Sequence, residues 1–128
     1  ISSNIFWHDK TADVQRVMLG SICLILPSKY EGFGLVLLEA MQSELPILGA
    51  RNSAIPEVLG ENHPGLFDTY DIDHLSKLML KMQEESFRNE ILVHQSTRLQ
   101  LFEPLKMATS IQMIYERYLC SALNEVER

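Results

Sequence analysis

The segment PSKYEGFGLVLLEAM carries two glutamates on either side of a glycine pair. Glu31 precedes Gly32 and Gly34, and Glu39 follows them by about one helical turn. Glycines before a helix let the backbone approach a ligand closely, and the free N–H groups of the helix favour an anion such as a diphosphate. Helical side chains lean towards the helix N-terminus, so Glu39 can reach the opening that Glu31 borders.

Each glutamate also has an ordinary structural interpretation. Glu39 lies among Leu38, Ala40 and Met41, an apolar setting in which a bare carboxylate is costly. It therefore needs hydrogen-bond donors, which a ribose diol, a neighbouring Arg or Ser, or water can supply. From the residues alone we prefer the neighbouring side chain or water, and we take Glu31 by itself as a solvated loop residue.

Short apolar runs alternate with helical patterns along the chain. The predicted strands are 4–7, 22–26, 46–50 and 65–67, with Trp7 in the core. The predicted helices run from Asp9 or Thr11 to Leu19, over 35–43, over 56–60, from Asp71 or Asp73 to Glu84, over 87–101 and over 104–123. This order predicts an α/β fold, a Rossmann-like parallel sheet with helices on both faces that ends in two or three helices. Ligands of such sheets bind at the carboxyl ends of strands, here the loops 27–34 and 51–56.

Composition limits the classes of function. Seventeen Asp and Glu against eleven Lys and Arg give the 128 residues a formal charge of −6, which disfavours nucleic-acid binding. Two distant cysteines and four scattered histidines predict no metal site, and we expect surface or half-buried histidines. The apolar runs are too short to cross a bilayer. The N-terminal sequence is typical of a chain that begins partway through a domain.

The motifs P-S-x-x-E-G-F-G-L-x-x-L-E-A-M, P-I-L and I-P-E-V-L-G resemble the C-terminal domain of GT-B glycosyltransferases of family 4. That family carries two glutamates separated by seven residues, and Glu31 and Glu39 correspond to them. The resemblance covers residues 4–67 in its motifs and continues to residue 119 in pattern only.

The resemblance implies a role for each matching position. Glu31 would be the catalytic residue beside the transferred sugar, and Glu39 would hold the ribose hydroxyls of the nucleotide. Backbone amides in the same loop would meet the sugar and the diphosphate. The implied donor-binding residues are Glu39, Gly32, Phe33, Gly34 and Leu35. Ser53 and Ala54 would border the nucleotide, although a plain turn is an equal alternative.

The resemblance also implies an activity. Such enzymes transfer a sugar from a nucleotide-diphosphate sugar to a glycan or lipid-linked acceptor with retention of configuration, as in polysaccharide biosynthesis. They need no cofactor and generally no metal, and helix dipoles with basic side chains stabilise the departing diphosphate. We expect a cytoplasmic protein, with a location at the inner membrane face left open.

The chain departs from the family pattern in ways that set further expectations. We take residues 1–128 as a single domain, the C-terminal portion of a GT-B nucleotide-sugar-binding domain. The first two βα units, which supply an Arg and a Lys for the diphosphate, and the acceptor-binding domain have no counterpart. The isolated chain is therefore expected to be inactive, and Lys29 is expected to face solvent rather than replace the missing Lys.

Two alternatives and one assembly state follow from these departures. Without those first strands a central strand gains an open apolar edge, so we expect the chain to draw in its first strand, to pair with another copy or to fold incompletely. If residues 1–128 are the entire chain, we expect a homodimer. A non-catalytic α/β assembly module is the alternative function. Another type of Rossmann-like nucleotide binder is disfavoured, because no G-x-G-x-x-G follows a strand.

Overall fold

The computed structural model of the chain describes residues 2–9 and 13–126. Three parallel strands form its sheet in the order β1-β2-β3. These strands are β1 Leu24–Leu26, β2 Ile47–Ala50 and β3 Leu66–Phe67. Ile25 lies opposite Leu48, and Gly49 lies opposite Leu66. The predicted α/β class and the parallel sheet are confirmed.

Helices follow each strand and close the chain. They are α1 Val14–Leu19, α2 Leu35–Gln42, α3 Ile55–Leu59, α4 Ile72–Lys81, α5 Glu85–Leu99 and α6 Pro104–Val126, with 3-10 turns at Ser2–Asn4 and Gln100–Phe102. The predicted helices therefore agree with the structure to within a few residues, including the break before Pro104.

Local capping chemistry explains where these helices start. The carboxylate of Asp13 accepts the N–H of Arg16 at 3.1 Å, and that of Asp71 accepts the N–H of His74 at 2.8 Å. Asp71 was one of the two predicted caps of α4. For α1 the prediction of Asp9 is wrong, because Asp13 is the cap, and Thr11 lies outside the described residues.

The hydrophobic core surrounds the central strand. β2 is buried along its whole length, because β1 and β3 flank it and helices pack against it. α5 lies against both α2 and α3. The largest fully buried side chains are Leu37, Ile47, Leu48, Ile55, Val58, Leu59, Ile91 and Gln95.

The predicted first strand is wrong. Residues 2–4 form a 3-10 turn and residues 5–9 carry no regular structure. Phe6 is 80% exposed and Trp7 is 91% exposed, so Trp7 is not a core residue. A strand needs a neighbour for its backbone groups, and this segment pairs with none of the described strands.

β1 lies at an edge of the described sheet and is less buried than the central strand β2. All three residues of β1 are half-buried, and β1 pairs with β2 alone among the described strands. In α1 only Met18 is buried, whereas Val17 and Leu19, predicted to form its apolar side, are exposed. The open apolar edge that the sequence predicts is present in the described part of the chain.

His63 is buried, which contradicts the expectation of surface or half-buried histidines. Its Nδ1 accepts the N–H of Gly65 at 3.0 Å, and its ring meets that of His94 edge-to-face at 5.2 Å. A neutral imidazole whose Nδ1 accepts this bond carries its proton on Nε2, which is buried without a hydrogen-bond partner among the described residues, so its burial costs free energy.

The last helix differs from the others because its described side chains are exposed. Its exposed apolar residues include Leu105, Met107, Ile111, Met113, Ile114, Tyr115, Tyr118 and Leu119. Within residues 2–9 and 13–126, no helix combines the length and the apolar character needed to cross a membrane.

Candidate functional site

Two loops at the carboxyl ends of β1 and β2 are joined by hydrogen bonds. The Oγ of Ser53 donates to the backbone carbonyl of Glu31 at 2.8 Å, and the N–H of Ala54 donates to the same oxygen at 3.4 Å. The side-chain amide of Asn52 donates to the carbonyl of Lys29 at 2.5 Å. The loop after β2 therefore fixes the backbone of the loop that carries Glu31.

Gly34 forms the entry into α2. Its φ of 79° and ψ of 56° lie in the left-handed region, which other residues adopt only at a cost. Its carbonyl accepts the N–H of Leu37 at 2.8 Å, which closes the first turn of the helix. The sharp turn at Gly34 lets the positive end of α2 begin directly beside the Glu31 loop.

Glu31 packs beside this turn. Its side chain is half-buried, and a side chain built on Gly34 would lie 3.2 Å from the Cγ of Glu31. Glu31 therefore lies against the glycine backbone at the start of α2. This position puts the Glu31 side chain beside the first turn of α2, at the carboxyl edge of the sheet.

Glu39 lies elsewhere on the same helix. It is exposed and lines a cavity of about 410 Å³ between α1 and α2, with Asp13, Gln15 and Met18 on the opposite wall. Its carboxylate has no hydrogen bond or ion pair with the described residues. Glu31 is not among the residues that line this cavity, so the structure gives the two glutamates separate surroundings.

The apolar setting expected for Glu39 is wrong. Its neighbours in sequence, Leu38 and Ala40, project about 100° to either side on a helix, and Leu37 and Ala40 face the core. Glu39 itself faces outward. Retaining this carboxylate therefore costs little, and its presence by itself is weak evidence of a ligand.

The remaining loop residues expected to bind a donor are open to solvent. A side chain on Gly32 would meet no atom within 4 Å. Leu35 is 66% exposed, and Phe33 is 43% exposed with its ring against Phe102. Gly32, Phe33 and Leu35 thus border a solvent-accessible surface next to Glu31.

Two cations lie near these loops. Lys29 is exposed, as predicted, with its Nζ 5.1 Å from the centre of the Tyr70 ring. Arg51 follows β2 directly and pairs with Glu61 at 3.6 Å and Asp68 at 3.5 Å. Because Arg51 already faces two carboxylates, it is poorly placed to neutralise a diphosphate.

Asn52 and Phe102 both contact the loop of the candidate site, and neither contact was predicted from the sequence. An Asn next to Ser in a loop that follows a strand is a turn signal, which could have suggested bracing by Asn52. The contact between Phe33 and Phe102 spans 69 residues, and no local spacing reveals it. In the part of the chain described by the structure, no cluster of three His, Cys, Asp or Glu side chains could hold a metal ion.

Comparison with known proteins bears directly on this site. Residues 1–98 match the family model described as glycosyl transferases group 1. The serotype-specific mannosyltransferase WbdA of Escherichia coli is 32% identical over 99 residues, which cover 75% of this chain and 12% of that protein. The O-antigen chain mannosyltransferase B of Escherichia coli is 41% identical over 78 residues, covering 59% of this chain and 20% of that protein.

A third relative covers a similar part of the chain. The N-acetyl-alpha-D-glucosaminyl L-malate synthase of Bacillus anthracis is 31% identical over 113 residues, which cover 74% of this chain and 30% of that protein. The chain spans 12 to 30% of the lengths of these three relatives. The family match extends over more than half of the residues and includes both loops of the candidate site, and the chain belongs to the glycosyl transferases group 1 family.

Proposed function

We propose that this chain is the donor-binding part of a GT-B glycosyltransferase. The enzyme would transfer a sugar from a nucleotide-diphosphate sugar to a glycan or lipid-linked acceptor, with retention of configuration. The observation that carries this proposal is the joining of the loops after β1 and β2, which places Glu31 beside the start of α2. Family membership and the transferase names of the relatives support the class of reaction.

The proposed roles follow from position. Glu31 contacts the transferred sugar, because it borders the open surface at the carboxyl edge of the sheet. The N–H groups at Gly34 and Leu35 and the positive end of α2 stabilise the diphosphate as it leaves, which is an electrostatic contribution that needs no metal ion.

Glu39 has a separate proposed role at the nucleotide. Its free carboxylate borders the 410 Å³ cavity between α1 and α2, an open space that suits a nucleoside. Two ribose hydroxyls can donate to one carboxylate, and charge-assisted hydrogen bonds of this kind are stronger than neutral ones. The nucleotide would thus extend from the α1–α2 cavity to the α2 N-terminus.

The second candidate function is a non-catalytic assembly module that keeps the fold. The open edge of β1 and the exposed apolar face of α6 favour it, because both surfaces suit contacts with another protein. Under this alternative the chain binds no nucleotide. In both cases we expect the isolated chain to transfer little or no sugar, since the acceptor site of such enzymes lies in a second domain.

Ligand-observed NMR with UDP-, GDP- and ADP-sugars tests the proposal. We expect millimolar binding of one nucleotide, a free energy of about −4 kcal/mol. Glu39→Gln removes the charge with little change in shape and should abolish this binding. Glu90→Gln makes the same change at an exposed position of α5 and should leave it unchanged.

Two results would contradict the proposal. One is a folded chain that binds none of the three nucleotide sugars, which would favour the assembly module. The other is binding that survives Glu39→Gln as well as it survives Glu90→Gln. A ¹H–¹⁵N correlation spectrum of each variant verifies that the fold is intact.

A further inference from the structure

Phe102 makes an aromatic contact with Phe33, which lies between Gly32 and Gly34 in the loop after β1 (hereafter the glycine loop). The ring centroids of Phe33 and Phe102 are 5.9 Å apart, and their planes meet at 76°. This edge-to-face arrangement is the favoured geometry of aromatic pairs. Phe102 belongs to the 3-10 turn between α5 and α6, so the contact joins that turn to the loop of the candidate site.

Phe102 is itself held by an anchored side chain. The guanidinium of Arg98 lies 5.8 Å from the centre of the Phe102 ring. Arg98 also donates to the backbone carbonyls of Glu57 and, at 3.2 Å, Val58. Contacts with α3 therefore fix Arg98, and Arg98 limits where the Phe102 ring can lie.

The position of the Phe33 ring depends on this contact, because the glycine backbone on either side of it can adopt many conformations. Glycines flank it on both sides, and a side chain on Gly32 would meet no atom within 4 Å. The hydrogen bonds from the β2 loop fix the backbone at Glu31, two residues before Phe33. The ring contact with Phe102 is the corresponding restraint further along the loop.

We propose that Phe102 is a positioning residue for the sugar-diphosphate end of the donor site, acting through Phe33. By fixing the Phe33 ring, Phe102 holds the backbone of Gly32 and Gly34 in the conformation that receives the ligand. This inference rests on the proposed function. It also links α6 to the site, because α6 begins at Pro104, two residues after Phe102.

The test compares two ligands on matched variants. The nucleotide sugar that the wild-type chain binds reaches the glycine loop, whereas its nucleoside monophosphate reaches little beyond Glu39. Phe102→Leu should weaken nucleotide-sugar binding by about 2- to 10-fold, the equivalent in affinity of one aromatic pair, and leave monophosphate binding unchanged. Leu101→Ala changes an exposed neighbour and should affect neither ligand.

A second measurement needs no ligand. Phe102→Leu should shift the amide resonances of Gly32 and Gly34 in the free chain, and Leu101→Ala should not. Phe102→Tyr keeps the ring and should restore both wild-type resonances and affinity. If Phe102→Leu does not fold, Phe102→Met, which keeps a flexible apolar side chain but no ring, replaces it in both measurements.

The outcomes separate this inference from the proposed function. A wild-type chain that binds no nucleotide contradicts the donor-site proposal and, with it, the ligand role of Phe102. Where the wild-type chain binds, unshifted Gly32 and Gly34 resonances overturn the positioning role alone. An equal loss of nucleotide-sugar and monophosphate binding also overturns it, because that result indicates general destabilisation.

Discussion

Gly34 is the residue whose conformation the candidate site depends on most directly. Its φ of 79° is left-handed, and a side chain there would lie 3.0 Å from Cδ1 of Leu37 and 3.2 Å from Cγ of Glu31. The left-handed conformation costs an L-residue about 1–2 kcal/mol. We expect Gly34→Ala to lower the free energy of unfolding by about 1–3 kcal/mol, measured by urea denaturation.

Gly32 provides the matched control for this substitution. It lies two residues earlier in the same loop, has no left-handed φ, and has no atom within 4 Å of a built side chain. Gly32→Ala should change stability by less than about 0.5 kcal/mol. Equal effects of the two substitutions would show that the left-handed turn does not limit stability.

The loop that carries the candidate site could be identified from the sequence, but the surroundings of its residues could not. The two glutamates and the glycines were identified as a candidate site by spacing and resemblance. The surroundings of Glu39 stayed open between a ribose, a neighbouring side chain and water, because residues adjacent in sequence lie on different faces of a helix. The bracing of Glu31 by Ser53 depends on a contact across 22 residues.

At the scale of elements, helix ends were the most predictable features because local chemistry determines them. Pro56 in the first turn of α3, Gly60 after it and the side chain of Asp71 each act on their own few residues. A strand depends instead on a neighbour that is distant in sequence. For that reason the apolar composition of residues 4–7 predicted a strand that the sheet does not contain.

Gln95 connects α5 to the start of β2. It is 1% exposed; its Oε1 accepts the N–H of Ile47 at 2.9 Å, and its Nε2 donates to the carbonyl of Leu45 at 3.0 Å. Gln95→Leu would leave both backbone groups without their partner. Because each unsatisfied buried group costs about 1–3 kcal/mol, we expect a loss of about 2–4 kcal/mol in the free energy of unfolding.

Chemical denaturation of Gln95→Leu beside Gln83→Leu measures this contribution. Gln83 is exposed in the turn before α5, so its replacement by Leu should be nearly neutral. If Gln95→Leu were as stable as Gln83→Leu, the bridge between α5 and β2 would contribute no more to stability than burial of a Leu side chain.

At the scale of the whole molecule, stability should depend on the protonation of His63. Burial, with a smaller contribution from His94, lowers the pKa of His63 from 6.5 to about 4. The unfolded chain therefore binds this proton more tightly than the folded one. The contribution of His63 to the free energy of unfolding should fall by about 3 kcal/mol as the pH drops from about 6.5 towards 4, and should change no further below that pH.

The variant His63→Asn isolates this contribution. It keeps a hydrogen-bond acceptor near the N–H of Gly65 and does not titrate in this range. Urea denaturation at several pH values between 7 and 4 should show a weaker pH dependence for the variant, since the contribution of His63 is then absent. Parallel curves for the two proteins would rule out His63 as a source of acid sensitivity.

β1 has one neighbour among the described strands, and this open edge predicts self-association in concentrated solution. Unpaired backbone groups and half-buried apolar residues at an edge favour pairing with another copy, so we expect a homodimer. Each copy carries a charge of −6, so association should strengthen as salt screens the repulsion. Light scattering coupled to size-exclusion chromatography, over a series of protein and salt concentrations, measures the mass directly.

A lysine at this edge should prevent the association without disturbing the core. Ile22 is 68% exposed just before β1, and Leu80 is 65% exposed on α4. Ile22→Lys places a charge that a second copy would have to bury, whereas Leu80→Lys makes the same change far from β1 in the chain. We expect Ile22→Lys to remain monomeric and Leu80→Lys to dimerise like the wild-type chain. A wild-type chain that stays monomeric at high concentration and high salt would contradict pairing through β1, and dimers of equal strength in both variants would assign the contact to another surface, such as the exposed face of α6.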